Sequence, residues 1–132
     1  MTDAAPSADN AFDLILLGGG TGGYVAAIRA KQLGLNVAVV EAIKLGGTCL
    51  HRGCIPTKAM LKSASIFDTV KDAGQYGVNV AGDIVFDYTT ALGRSLDIVE
   101  GQYRGLRYLF DKKHKIPVFM GRGKMLNTTT VE

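Results

Sequence analysis

An α/β fold, a small parallel sheet with helices on its faces, is predicted by three observations. Two short apolar runs, Asp13–Leu17 and Asn36–Val40, have the length and composition of buried parallel strands. Between them lies a helical stretch that opens on Gly18-Gly19-Gly20-Thr21-Gly22-Gly23. A third apolar run, Ile116–Met120, follows a long one-sided helical pattern. Strand, glycine-rich turn, helix and second strand are the parts of a nucleotide-binding βαβ unit. The prediction is a partial, truncated Rossmann-like domain over residues 12–132, preceded by a flexible polar arm at residues 1–11.

The first strand feeds directly into the glycine-rich turn. Gly18, Gly20 and Gly23 stand at the dinucleotide-fingerprint spacing. Gly18 permits the tight turn, Gly20 lets backbone approach a pyrophosphate, and Gly23 lets the helix pack closely on the sheet. The helix, roughly Gly22 to Leu33, carries the small residues Ala26, Ala27 and Ala30 and stops at Gly34. The second strand ends in Glu41, eighteen positions after Gly23, near the spacing of a ribose-binding carboxylate. An acid there favours a free 2′-hydroxyl over a 2′-phosphate, which it would repel.

Next comes Gly46-Gly47-Thr48-Cys49-Leu50-His51-Arg52-Gly53-Cys54-Ile55-Pro56-Thr57-Lys58, holding both cysteines of the chain. A zinc site would need a second ligand pair at a recognisable spacing, and none exists, so no metal is expected. Two unrelated buried thiols remain one reading, since free cysteine is a common core residue. A reversible bridge is the other. In a regular helix, residues five apart place their Cα atoms roughly 8.7 Å from one another, beyond the about 7 Å that a disulfide tolerates. Bridging Cys49 and Cys54 therefore requires an interrupted helix, and Gly53 and Pro56 supply the means. His51 and Arg52 read as flanking surface.

After Pro56 a helix is expected from about Thr57 to Val70, then a glycine-containing loop over Ala73–Phe86. A longer helix follows from Tyr88 to Phe110, with Leu92, Leu96, Val99, Tyr103, Leu106 and Phe110 on one face. Its interior glycines, Gly93, Gly101 and Gly105, suggest close packing against a helix or a cofactor. Gly121-Arg122-Gly123-Lys124 lies at the tip of the third strand, the ligand side of a parallel sheet. Thr128–Glu132 reads as the start of a further strand.

Apolar residues make up 47% and charged residues 20%, an ordinary globular balance. The formal charge of +3 is too small to argue for nucleic acid. Lys112-Lys113-His114-Lys115 reads as a solvated helix end whose cations complement the dipole. Residues 1–11 have neither the basic start nor the apolar core of a secretory signal, and no run reaches membrane-spanning length. A cytoplasmic protein with no membrane or nucleic-acid partner is expected.

The run Gly-Gly-Thr-Cys-Leu-x-x-Gly-Cys-Ile-Pro-Thr-Lys at 46–58 resembles the redox-active motif of the flavin-dependent pyridine nucleotide-disulfide oxidoreductases, most closely their dihydrolipoamide-oxidising branch. The resemblance runs from about Phe12 to Glu132. It implies an oxidoreductase in which Cys49 and Cys54 form the catalytic disulfide, with Cys49 the exposed exchange sulfur and Cys54 facing the flavin. FAD is the implied cofactor and NAD the co-substrate. Gly18, Gly20, Gly23 and Glu41 would hold the ADP half of FAD, and Gly123 its adenine end. Gly46, Gly47, Thr48, Cys49 and Lys58 would line the rest, with Lys58 stabilising negative charge.

The implied partners are lipoyl domains of 2-oxoacid dehydrogenase or glycine cleavage complexes, and a second subunit of a homodimer. Enzymes of this kind are several times longer, so the NAD domain and the dimerisation domain with its His-Glu pair cannot lie in 132 residues. The chain is therefore expected to be the N-terminal part of such an enzyme and inactive alone. Leu50 and Ile55 argue against the glutathione and mercuric reductases, which more often carry Val there. A non-catalytic nucleotide-binding fragment is the remaining alternative.

Overall fold

The computed structural model describes residues 10–132, so the arm expected at residues 1–11 falls outside it except for Asn10 and Ala11. The chain forms two compact units. One comprises the stretch up to Gly47 together with Gly105–Glu132, and the other is Thr48–Arg104.

The first unit is built on a three-stranded parallel sheet. Strands β1 (Leu14–Leu17), β2 (Val37–Glu41) and β3 (Val118–Met120) lie in that order across it. Leu14 stands opposite Val37, and Val39 opposite Val118. The central strand is the most buried: Val37, Ala38 and Val39 are enclosed, as a near-continuous apolar run in a parallel sheet requires. Helix α1 (Thr21–Gln32) packs on β1 and β2, and its buried residues are Ala27 and Ala30. Their short side chains let the helix lie close to the sheet. Gly34, at φ 92°, ends α1 in the left-handed region that favours glycine. Phe110 is wholly buried beside Leu106 and Ile116, and with Leu45 it supplies most of the remaining core volume.

The second unit is helical. It holds most of α2 (Gly47–His51), all of α3 (Cys54–Lys71), a 3₁₀ turn at Ala73–Tyr76, and α4 (Tyr88–Tyr108) up to Arg104. Two side chains of α4 fasten the start of α3. The Ser95 hydroxyl donates to the Pro56 carbonyl at 3.2 Å, and the Arg94 guanidinium donates to the Ala59 carbonyl at 3.3 Å. Asp87 caps α4 by accepting from the Thr90 amide at 3.1 Å and the Thr90 hydroxyl at 2.6 Å. Those Thr90 bonds hold the Asp87 carboxyl below its usual value.

Several boundaries and faces differ from the sequence expectation. Helix α3 begins at Cys54, not Thr57, because Pro56 sits in its first turn, where no amide partner is needed. The long helix extends beyond Tyr108 as a π-helical segment, Leu109–His114, that carries the expected cations and closes on Lys115 at φ 51°. The buried face of α4 runs through Ala91, Ser95, Val99 and Leu106, while Leu92 and Leu96 are exposed. A Cβ added to Gly93, Gly101 or Gly105 would meet open space, so packing among the described residues does not explain those glycines. Thr128–Glu132 folds back on Lys124–Leu126 as a short antiparallel turn, bridged at Met125 and Val131, instead of starting a new parallel strand.

Candidate functional site

The sequence-predicted residues fall into two groups, one in each unit. In the first unit, β1 ends at Gly18, whose φ of 102° makes the turn into the glycine-rich loop and whose amide donates to the Val40 carbonyl at 2.8 Å. A Cβ at Gly23 would land on the Gly18 carbonyl, so this glycine is required by the close seating of α1. Gly20 is different. Its backbone is extended, it caps α1 without a side chain, and a Cβ there would meet only the Gly47 Cα at 3.9 Å. The space beside Gly20, over the positive end of α1, is left open, and it suits an anion.

Across this space the chain returns through Gly46 and Gly47, at φ 109° and 63°. The Gly46 amide donates to the Gly19 carbonyl at 2.8 Å, and a Cβ on Gly47 would stand 2.7 Å from the Gly20 Cα. Glu41 is buried at the tip of β2. Its Oε2 accepts from the Gly19 amide at 2.7 Å, and its Oε1 from Ile43 at 2.8 Å and Lys44 at 3.3 Å. Burial works to raise the carboxyl pKa, but backbone hydrogen bonds from Ile43, Gly19, Lys44 and Ala42 outweigh it, and the net direction is down. The carboxylate is ionised at neutral pH.

Gly123 closes the floor of the same region. A Cβ there would meet Leu17 at 2.6 Å and Val40 at 3.0 Å, so its packing accounts for the glycine. Beyond the strand tips a cleft of about 400 Å³ is lined by Gly18, Glu41, Ala42, Gly121, Arg122 and Gly123, with Leu17 and Val40 at its base. This is the ligand side of a parallel sheet.

The second unit holds the thiols. Cys49 lies in α2 and Cys54 is the first residue of α3, with the helical path broken between them at Arg52 and Gly53. Gly53 closes the break tightly: a Cβ there would stand 3.1 Å from the Thr48 carbonyl and 3.3 Å from the Cys49 Cα. The two cysteines are not joined in a disulfide, and Cys49, expected to be the exposed sulfur, is half-buried while Cys54 is the exposed one. The hydrogen bond of the Cys54 thiol with Cys49 is the main cause raising the Cys54 pKa, followed by burial and the charge of a Cys49 thiolate. The backbone at the start of α3 and the Lys58 ammonium pull the other way. Two sulfurs within hydrogen-bonding reach, on either side of a helix break, are the reduced form that a labile disulfide requires.

His51, expected as flanking surface, instead packs edge-to-face on Tyr103 with ring centroids 5.3 Å apart. Among the described residues no group of three or more His, Cys, Asp or Glu side chains is placed to hold a metal ion. Nor is any helix among them long and apolar enough to cross a membrane.

Residues 12–132 match the pyridine nucleotide-disulphide oxidoreductase family. The chain belongs to that family. Similar proteins include the dihydrolipoyl dehydrogenase of Bacillus subtilis, 51% identical over 115 residues, an alignment covering 87% of this chain and 24% of the relative. That of Acholeplasma laidlawii is 42% identical over 120 residues, covering 91% and 35%. That of Mycobacterium tuberculosis is 45% identical over 121 residues, covering 91% and 25%. The chain thus spans about a quarter to a third of the length of these relatives.

A pyridine nucleotide-disulphide oxidoreductase of this kind implies a flavin, and the residues present fit one. The open cradle beside Gly20 suits a pyrophosphate, and the cleft at Glu41 and Gly123 suits an adenosine. Arg122 lines the cleft at the strand tip where its run, residues 121–124, is expected. Arg94 and Ser95 were not singled out by the sequence: an arginine and a serine in a long helix carry no spacing signal, and only packing reveals them.

Proposed function

We propose that this chain is the N-terminal, FAD-binding part of a dihydrolipoyl dehydrogenase, oxidising dihydrolipoamide through Cys49 and Cys54 with NAD⁺ as final acceptor. The observation that carries the reading is the thiol pair: Cys54 hydrogen-bonded to Cys49 across the break at Gly53, with Lys58 one helical turn further on. Identity of about half to dihydrolipoyl dehydrogenases over the same stretch favours a dihydrolipoyl substrate over glutathione or mercury.

The chemistry is a thiol–disulfide exchange. Starting from the Cys49–Cys54 disulfide, a thiolate of dihydrolipoamide attacks the Cys49 Sγ. The Cys49–Cys54 bond breaks and its electron pair leaves on the Cys54 Sγ. The second substrate thiol, deprotonated, then attacks the substrate sulfur of the mixed disulfide, closes the lipoamide ring and releases Cys49. Two electrons and two protons have passed from the substrate to the pair. Cys54 is the suited leaving group. The Cys49 hydrogen bond and charge that raise its pKa in the reduced pair are absent while Cys49 is held in the mixed disulfide, and the backbone at the start of α3 and the Lys58 ammonium favour its thiolate. When bound, FAD supplies the two-electron acceptor that reoxidises the pair and passes hydride to NAD⁺.

Gly18, Gly20 and Gly23 would shape the seat of its pyrophosphate, and Gly46, Gly47 and Thr48 would continue that lining. Glu41 would accept from a ribose hydroxyl, and Gly123 would present backbone to the adenine. Lipoyl domains of 2-oxoacid dehydrogenase or glycine cleavage complexes would deliver the substrate, and the full-length enzyme would be a homodimer.

Trapping tests the exchange. In Cys54→Ser the resolving thiol is gone, so oxidised lipoamide should form a mixed disulfide with Cys49, seen as a one-lipoamide mass increase. Cys49→Ser should trap less under the same conditions. Equal trapping by both variants contradicts the assignment of Cys49 as the exchange sulfur.

A further inference from the structure

We infer that Glu41 is a positioning residue: its carboxylate straps the glycine-rich loop to the loop that follows β2 and holds the nucleotide cradle in shape before any ligand arrives. The inference rests on the dinucleotide reading only for what the cradle is for; the strap itself is independent of it.

The argument begins from where the two carboxylate oxygens point. Oε2 takes the Gly19 amide at 2.7 Å, twenty-two residues back in the chain. Oε1 takes Ile43 at 2.8 Å and Lys44 at 3.3 Å on the following loop. Gly19 is gripped on its other side as well, because its carbonyl accepts from the Gly46 amide at 2.8 Å. One residue of the glycine-rich loop is thereby pinned through both of its main-chain polar groups, which belong to successive peptides. The Glu41 main chain adds a third attachment, its carbonyl accepting from Gly121 at 2.9 Å beyond β3. Three loops at the strand tips meet on one residue.

This arrangement has a cause in the backbone. Glycine is the most conformationally free residue, so a turn and first helical turn with five glycines in six residues lose a large conformational entropy when ordered. The loop needs an internal partner to hold one shape, and a buried carboxylate taking charge-assisted hydrogen bonds is a strong one. The fit around Gly19 is close: a Cβ there would meet Leu45 at 2.6 Å and the Glu41 Oε2 at 3.3 Å. The strap also limits what the acid can offer a ligand. A carboxylate has about four acceptor sites. With Ala42 as a fourth amide, backbone groups take up about all of them, so a ribose hydroxyl would have to share a carboxylate oxygen with one of the loops.

Glutamine separates the strap from simple bulk. Its size is nearly that of glutamate, but its amide nitrogen is a donor and cannot accept from a backbone amide. Amide hydrogen exchange on the full chain without nucleotide, followed by NMR, reads the result directly. In Glu41→Gln the Gly19 or Ile43 amide should lose about tenfold or more of its protection. Gly46, whose amide bonds to the Gly19 carbonyl, should loosen with it, while Val39 in the central strand keeps its protection. Unchanged protection at both Gly19 and Ile43 in a variant whose Val39 is protected overturns the strap. Should Glu41→Gln not fold, the unsubstituted protein decides: Gly19 must exchange more slowly than Gly82 in the exposed loop, and equal rates overturn the inference. Affinity for inorganic pyrophosphate, which has no ribose, should also fall in Glu41→Gln. If exchange loosens but pyrophosphate affinity is unchanged, the strap stands and the nucleotide reading of the loop is what fails.

Discussion

Alanine at two adjacent glycines of α1 will have effects of opposite sign, and the difference follows from what each Cβ meets. At Gly22 an added Cβ meets nothing within 4 Å. Alanine there lowers the entropy of the unfolded chain and favours the helix, for a gain of about 0.5 kcal/mol. At Gly23 the Cβ falls on the Gly18 carbonyl oxygen and lies 3.0 Å from its carbon. A carbon and a carbonyl oxygen settle no closer than about 3.3 Å, so α1 must lift or the Gly18 turn must move by more than an ångström. Neither is easy. Gly18 is held at φ 102° with its amide bonded to Val40, and α1 rests on the sheet through the buried Ala27 and Ala30. Overpacking against backbone lies at the upper end of the usual range, about 3 kcal/mol.

For a chain of this size that is a fall in melting temperature of about 10 °C for Gly23→Ala, against a rise of about 2 °C for Gly22→Ala. Differential scanning calorimetry or thermal circular dichroism on both variants measures the pair. Equal shifts for the two, or a Gly23→Ala protein as stable as its parent, would refute the close seating of α1 on the turn.

The interior glycines of α4 test the same logic where space is open: Gly93→Ala, Gly101→Ala and Gly105→Ala should each stabilise by up to about 1 kcal/mol, measured as a higher urea midpoint. Phe110 is wholly buried, so Phe110→Ala should cost about 3–5 kcal/mol in the same denaturation, and a smaller loss would mean that the core there collapses to fill the space. The folded Glu41 carboxyl titrates below its ordinary value of 4.5, so its contribution is complete above that value and is lost as pH falls through the lower folded one. The stability gap between the parent protein and Glu41→Gln should therefore be constant near neutrality and shrink below about pH 4.5. In the reduced pair the Cys54 thiol titrates above the ordinary 9.0, so iodoacetamide should alkylate in two pH steps, the second above that value; Cys49→Ser should remove the second step.

The sheet and its glycine-rich turn were legible because their signals are local. The runs of β1 and β2, the 18-20-23 glycine spacing and the acid at the tip of β2 all lie within thirty residues of one another, and the structure joins them as expected. The helix break between Cys49 and Cys54 was readable from Gly53 and the geometry of residues five apart. What the sequence did not disclose depends on partners far along the chain. Ser95 is buried because its hydroxyl meets the Pro56 carbonyl, thirty-nine residues away, and nothing in the periodicity of α4 marks it above Leu92 or Leu96. The strap role of Glu41 was hidden likewise, since an acid at a strand tip reads as a ligand for ribose and not as a ligand for its own loop. The final segment misled by its threonines, whose β preference is satisfied equally by a short antiparallel turn and by a new strand.

The central claim is that Cys49 and Cys54 act as one reversible two-electron pair, and counting thiols tests it most directly. The chain contains only these two cysteines, so the count has no background. Folded protein treated with a mild oxidant and freed of excess reagent should show no free thiol and a mass two hydrogens lower, as a monomer. Dihydrolipoamide should then restore both thiols together, without a stable one-thiol state. Two thiols persisting after oxidation, or an oxidised monomer that dihydrolipoamide leaves unreduced, would contradict the account.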